Sequence, residues 1–352
     1  MIRVLIVDDS AVVRKVLTDG LSKLDDIEVV GSAIDPYMAR DKIARLQPDV
    51  LTLDVEMPRM DGLTFLSKLM AHHPIPVVVV SSQTPENSEN ALRALSLGAI
   101  EIVSKPGSQF STPDVQKQLA QAVRTAAKAK VFARKDEPVK KSTTSYNLLN
   151  TTHKIIAIGA STGGTQAIET VLKDFPANAP GTVICQHMPP GFTASFAKRL
   201  NQVCAMEVRE AKSGDAVVPG VALVAPGNQH LLLQKSGAKY YVVLKNGPPV
   251  HYQRPAVDVL FQSVARHAGQ NAVGVILTGM GADGAKGLLD MRNSGAYTFA
   301  QDEQSCVVFG MPKAAIQLNA ADEIVPLNSV TSSIFRKLEN IKNRTYAVGV
   351  SK

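Results

Sequence analysis

Residues 1–106 repeat one pattern: a short run of branched apolar residues, then a segment whose apolar positions carry helical spacing. The apolar runs fall at 3–7, 27–33, 50–55, 77–81 and 100–103, and the helical segments at 12–24, 36–46, 62–72 and 87–97. A strand that is apolar on both faces must be covered on both faces, and parallel neighbours need a crossover between them. Strands alternating with helices therefore predict a parallel, doubly wound sheet. A further helix, over about residues 113–133, closes this first domain.

Composition then changes. From Arg134 to Ser145 the chain is charged, then Ser/Thr-rich, with no apolar period, as expected of a linker. A second strand–helix pattern runs from near Lys154 to about Leu338, and a chain of 352 residues is long enough for two separate cores. The core strands of this second region are expected at 154–158, 181–186 and 272–278. Between the last two, β-like runs at 216–219, 221–224, 230–234 and 240–244 predict an antiparallel excursion. The domains are thus expected at 1–125 and 153–345, joined by a linker over 126–152.

Several function classes are disfavoured. Trp is absent and aromatics make up 5% of the chain, which argues against stacking on single-stranded nucleic acid. No apolar run reaches the ~20 residues that span a bilayer, so no direct membrane insertion is expected. The N-terminus meets Asp8 and Asp9 before a signal-peptide core can form, and a cytoplasmic location follows as an expectation. Cys185, Cys204 and Cys306 have no metal-like spacing, and their odd number argues against a disulfide framework. The net charge of +7 favours acidic partners but is weak support for nucleic-acid binding.

In a parallel sheet, functional groups gather at the carboxyl ends of the strands. Asp8 and Asp9 end the first strand, Asp54 the third and Ser81 the fourth, and Lys105 follows the fifth. Three crowded carboxylates invite a hard divalent cation, Mg²⁺ foremost. A carboxylate beside such a cation can attack a phosphoryl group, while a lysine and a hydroxyl hold the added oxygens. The plainer reading is solvated loop acids, which fits one aspartate well and five matched strand ends poorly.

In the second region Gly159-Ala160-Ser161-Thr162-Gly163 joins an apolar run to a helix-compatible segment, the local form of a nucleophile elbow. Ser161 then needs a base and a group to orient that base. Of the seven histidines, His72 and His73 lie in the first domain, His153 at the linker edge and His267 in a helical pattern. His230 follows a turn and His251 sits in a Pro-flanked loop, whereas His187 ends a clear apolar strand. Asp283 stands in the glycine loop after the strand at 272–278, while Asp215, Asp258, Asp290 and Asp302 follow no such strand. The inferred triad is Ser161, His187 and Asp283, with backbone amides near Ser161, Thr162 and Met280 as oxyanion candidates. Its chain order differs from the usual α/β-hydrolase order, so a different three-layer α/β arrangement is expected. Glycine turns of this kind also bind phosphates or dinucleotides. The Gly-x-Gly-x-x-Gly spacing is missing, however, and there is no clear ribose-binding acid about twenty residues on.

Longer motifs carry a resemblance. Leu5-Ile6-Val7-Asp8-Asp9-Ser10, the stretch from Leu53 to Gly62, and Ser104-Lys105-Pro106 resemble the response-regulator receiver family over about residues 1–125. That resemblance implies a flavodoxin-like (βα)5 fold, with Asp54 accepting phosphate from a histidine kinase. It also implies Mg²⁺ held by Asp8, Asp9, Asp54 and the backbone carbonyl of Glu56, with Ser81 as switch residue and Lys105 as phosphate contact. Ile158 to Gly164, Gln186-His187-Met188-Pro189, Ala225 to His230, Leu277 to Gly284, and Gly310-Met311-Pro312 resemble the catalytic domain of the chemotaxis protein-glutamate methylesterase family. The implied activity is hydrolysis of glutamyl methyl esters on chemoreceptor cytoplasmic domains and deamidation of selected receptor glutamines. A chemotaxis histidine kinase is the implied phosphodonor, and no cofactor is implied for the ester chemistry. The rival outputs are a nucleotide-binding oxidoreductase and a DNA-binding domain; the second half offers no helix-turn-helix pattern with clustered basic residues.

Overall fold

Runs of Val, Ile and Leu that are buried on both faces build two parallel sheets. The computed structural model describes residues 1–57, 61–82, 84–105, 112–131 and 153–347. The chain divides into two compact units between Pro138 and Val139. The expected linker from Arg134 to Ser145 lies outside the described residues, as do Pro58, Arg59, Met60 and Pro106 of the quoted motifs. Among the described residues, no helix is long and apolar enough to cross a membrane.

The first unit runs β1 (Ile2–Val7), α1 (Ala11–Leu21), β2 (Ile27–Ala33), α2 (Pro36–Leu46), β3 (Val50–Leu53), α3 (Gly62–His72), β4 (Val77–Ser81), α4 (Pro85–Ser96), β5 (Glu101–Ser104) and α5 (Thr112–Ala126). Its strands pair in parallel in the order β2-β1-β3-β4-β5. β3 and β4 are buried along their whole length, as covered parallel strands must be. Side-chain caps fix where helices begin. Ser10, Asp35, Asp61 and Thr84 each accept a backbone N–H from the first turn of the helix that follows. α5 stops at Ala126, short of the expected 133, and β3 ends at Leu53 rather than 55, which frees Asp54 for the sheet edge.

The second unit runs β6 (Ile155–Ala160), α6 (Gly164–Lys173), β7 (Gly181–Gln186), α7 (Phe192–Val203), β8 (Glu207–Glu210), β9 (Val221–Val224), β10 (His230–Ser236), β11 (Lys239–Lys245), α8 (Val257–Ala268), β12 (Ala272–Ile276), α9 (Ala285–Asn293), β13 (Tyr297–Gln301), α10 (Met311–Gln317), β14 (Glu323–Val325) and α11 (Val330–Ala347). Seven strands form one parallel sheet in the order β14-β13-β12-β6-β7-β9-β8, and β10 and β11 form a separate antiparallel ribbon.

The expected excursion is smaller than the sequence suggested. β9 joins the main sheet, parallel to β7 and β8, and residue Ala216 makes only an isolated antiparallel bridge to Tyr241. Burial explains the difference: β9 is covered on both faces, whereas β10 and β11 alternate and bury one face. That face lies on α8, where the Ser263 hydroxyl accepts from Leu233 N at 2.8 Å. β8, β13 and β14 were not expected; they extend the sheet at both edges. β12 ends at Ile276, before the expected 278, because Thr278 turns away to donate its amide to Gln301 Oε1 at 2.8 Å.

Candidate active site

Ser161 stands immediately after the central strand β6, where two glycines make room for it. Gly163 begins α6 at φ 74°, a conformation glycine adopts without strain. A Cβ on Gly279 would lie 2.3 Å from Met311 Sδ and 2.7 Å from Ser161 Cβ, so the loop after β12 approaches the serine only because this residue has no side chain. The Ser161 amide donates to Thr278 O at 3.0 Å and its carbonyl accepts from Gly164 N at 2.7 Å. The serine backbone is therefore held from both sides.

His187 follows β7, the neighbouring strand, and Asp283 lies between β12 and α9. Their side chains meet as the strand-end argument expects. His187 Nδ1 is 3.1 Å from Ser161 Oγ, and Nε2 is 2.7 Å from Asp283 Oδ2. The imidazole is only 7% exposed. With Nε2–H donated to Asp283, Nδ1 carries the free lone pair and faces the serine hydroxyl. This is the reverse of the usual serine-protease arrangement, where Nε2 faces the nucleophile.

Asp283 also accepts Val257 N on Oδ2 at 2.7 Å and Asp258 N on Oδ1 at 2.9 Å. These are the first amides of α8, whose N-cap residue Ala256 offers no side chain for them. The carboxylate thus caps a helix from across the domain and sits at the positive end of its dipole. Burial pushes the Asp283 carboxyl up, but His187 and these two amides outweigh it, and the group titrates below the ordinary aspartate value.

Other residues proposed from sequence occupy the same neighbourhood. Thr162 is buried, and its carbonyl accepts from Thr278 Oγ1 at 3.0 Å. Met280 is half-buried in the loop that carries Gly279. Because the Ser161 amide is committed to Thr278, it is not itself free to face a substrate oxygen. Sequence reasoning missed Gln186. Its Nε2 donates to Ser161 O at 2.8 Å and to His187 O at 3.0 Å, which ties nucleophile and base segments together. Its only sequence signal is a polar residue at the end of an apolar strand. Sequence reasoning weighed Asp258 and His251 and set them aside; the two are joined at 2.9 Å through Asp258 Oδ2 and His251 Nε2. His230 is held elsewhere, by Pro248 O and Ala256 N.

The first unit has its own cluster. The side-chain oxygens of Asp8, Asp9 and Asp54 can approach within 4.8 Å of one another. Lys105 Nζ lies 2.6 Å from Asp54 Oδ2 and 3.4 Å from Asp8 Oδ2, and the latter oxygen is buried without a hydrogen bond. Burial pushes the carboxyls of Asp8 and Asp54 upward despite the pull of Lys105. Burial alone would lower Lys105, but Asp54 and Asp8 hold its ammonium above the ordinary lysine value. Three carboxylates gathered within 4.8 Å, with one lysine ammonium among them, suit a hard cation. The Glu56 amide donates to Asp54 Oδ1 at 3.0 Å. Arg14, which sequence reasoning missed, donates to the carbonyls of Asp8 and Asp9 at 2.9 Å each. The Ser81 hydroxyl is buried and turned to the carbonyls of Ser82 and Asn87, at 3.3 Å and 3.4 Å.

Comparison with known proteins gives a family for each of the two regions. Residues 156–334 match the CheB methylesterase family, and residues 4–114 match the response regulator receiver domain. A protein from Syntrophus aciditrophicus, named protein-glutamate methylesterase/protein-glutamine glutaminase 2, is 55% identical over 338 residues, covering 95% of this chain and 98% of that protein. The protein-glutamate methylesterase/protein-glutamine glutaminase of Salmonella typhimurium is 54% identical over 339 residues, covering 96% of this chain and 97% of its own. The crystal structure of the Thermotoga maritima CheB methylesterase catalytic domain is 38% identical, with a TM-score of 0.51, and covers 52% of this chain and 97% of that domain. The chain therefore belongs to the CheB methylesterase family and carries a response regulator receiver domain ahead of its esterase domain.

Proposed function

We propose that this chain is a phosphorylation-activated serine esterase. It hydrolyses glutamyl methyl esters on chemoreceptor cytoplasmic domains, releasing methanol, and deamidates selected receptor glutamines to glutamates. The observation that carries this reading is the unbroken contact chain from Ser161 Oγ through His187 to Asp283. Ser161 attacks the ester or amide carbonyl as His187 Nδ1 takes its proton. Asp283 keeps the accepting tautomer and stabilises the imidazolium. The proton passes to the leaving methanol or ammonia, and water resolves the acyl-enzyme to free glutamate and Ser161. Amides of the turns at Thr162 and Met280 are assigned to the carbonyl oxygen. This chemistry needs no cofactor.

In the receiver, Asp54 accepts the phosphoryl group from a chemotaxis histidine kinase. Asp8, Asp9, Asp54 and the Glu56 carbonyl would hold Mg²⁺, which when bound offsets the charge of carboxylates and phosphoryl oxygens. The gathering of the Asp8, Asp9 and Asp54 oxygens within 4.8 Å of one another supports the carboxylate part of that donor set. Lys105 would contact the added phosphoryl, a role supported by its 2.6 Å approach to Asp54 Oδ2. For Ser81 to do the same, its hydroxyl must leave the carbonyls of Ser82 and Asn87. The assigned domains are 1–125 and 153–345, with a linker over 126–152, in a cytoplasmic protein.

The test is methanol release from radiolabelled, methylated chemoreceptor membranes, with and without Mg²⁺ and a small phosphodonor. Release that rises with the phosphodonor supports both halves of the reading. Ser161→Ala should release none, and Asp54→Asn should keep basal release while ignoring the phosphodonor. Retained activity in Ser161→Ala would remove the nucleophile assignment.

A further inference from the structure

Between β11 and α8, two consecutive residues hold a backbone conformation that side chains rarely adopt. His251 and Tyr252 lie at φ 50° and 62°. Val250 and Gln253 exchange backbone hydrogen bonds across them, at 3.0 Å and 2.9 Å. They are thus the two central residues of a tight turn, left-handed at both positions. Glycine and asparagine suit such positions, and a tyrosine there is strained.

Strain of this kind persists only where the surroundings enforce it. Here Arg254 does so, donating Nε to Asn228 Oδ1 at 2.9 Å and Nη1 to Gly247 O at 2.7 Å. His251 adds its bond to the buried Asp258 carboxylate. Packing gives no reason for the tyrosine, because Tyr252 is 99% exposed. Its position does give one. Ring nitrogen and carboxylate oxygens of His251, Asp258 and Asp283 lie within 4.8 Å of one another, so the turn stands against the acid that orients His187. These carboxylates already accept backbone and imidazole N–H groups, so the cluster has no need of a cation.

An exposed tyrosine offers a large, rigid contact surface at low entropic cost. We propose that Tyr252 is a substrate-contact residue, which grips the polypeptide carrying the glutamyl ester and so favours protein-borne esters. The braced turn fixes the backbone of Tyr252 next to His251, whose ring nitrogen lies within 4.8 Å of the carboxylate oxygens of Asp258 and Asp283. This inference rests on the esterase reading given above.

Tyr252→Gly, in the full chain, separates the roles because it removes the ring and relieves the backbone together. The melting temperature should rise by about 2–4 °C. On methylated chemoreceptor membranes KM should rise by about fivefold or more, with kcat within about twofold of the parent. Tyr252→Phe should keep the parent KM and show no gain in melting temperature. An unchanged KM in Tyr252→Gly, against a parent that does release methanol, overturns the contact role alone. A fall in melting temperature overturns the strain argument that supports it. A parent that releases no methanol removes the esterase reading, and this inference with it.

Discussion

Asp283→Asn tests the electrostatics of the site because the geometry predicts which way the amide will turn. The carboxylate accepts three N–H groups: His187 Nε2 and Val257 N on Oδ2, and Asp258 N on Oδ1. An asparagine with its oxygen at the Oδ2 position keeps two of these bonds and sets its NH₂ against Asp258 N. The opposite rotamer keeps one bond and would force His187 to accept at Nε2. The first is favoured by bond count, at the expense of one buried N–H without an acceptor, about 1–3 kcal/mol of stability. The tautomer is then preserved and only the charge is lost. At about 4 Å and an effective dielectric near 20, the imidazolium–carboxylate attraction is about 4 kcal/mol. At ~1.4 kcal/mol per decade this lowers kcat by about 10³-fold. Inversion of the tautomer costs about 10⁴-fold in a serine protease. The assay is single-turnover methanol release across pH, alongside urea unfolding. Loss of the negative charge should also move the acid limb of the profile to lower pH. Activity within about tenfold of the parent, or an unmoved acid limb, would refute the assignment of Asp283 as the charge that supports His187.

Three further outcomes are expected. Gly279→Ala sets its added carbon 2.3 Å from Met311 Sδ and 2.7 Å from Ser161 Cβ, and both must give way, so kcat should fall sharply while unfolding measurements show a loss of only about 1–3 kcal/mol. Mg²⁺ should raise the melting temperature of the receiver by mass action, by about 2.7 kcal/mol equivalent at a hundredfold excess over Kd, and Asp9→Asn should blunt that rise in a calorimetric titration. Burial raises the Glu169 carboxyl, but Arg199 and Lys173 outweigh it and hold the group below its ordinary value of 4.5. Its contribution is therefore present above that value and lost as pH falls through the folded-state pKa. The urea midpoint should fall less between pH 7 and pH 3 in Glu169→Gln than in the parent.

Much of the site was legible because parallel sheets collect functional groups at one edge. Ser161, His187 and Asp283 each follow a strongly apolar strand, and so do Asp8, Asp54 and Lys105. Their meeting needs only strand direction, which the alternation with helices implies. Ser81 shows the limit: its strand end was found, yet its hydroxyl faces the carbonyls of Ser82 and Asn87, a choice of rotamer that spacing does not encode. Val221–Val224 shows another. The strand was found, but its partner was not, because a short apolar run pairs equally well with a ribbon or a sheet until burial on both faces decides.

What the sequence by itself determined is local: where apolar runs alternate with helices, where glycine punctuates a turn, and which polar residue ends each strand. Those features settle a parallel α/β class and nominate the chemistry at the strand ends. The tertiary structure alone decided the order β14-β13-β12-β6-β7-β9-β8, the use of Nδ1 rather than Nε2 toward Ser161, and the capping of α8 by Asp283. Each depends on groups far apart in the chain, with 25 residues separating Asp258 from Asp283. Such contacts form only after the core has collapsed, when a buried carboxylate must find donors wherever the packed chain presents them.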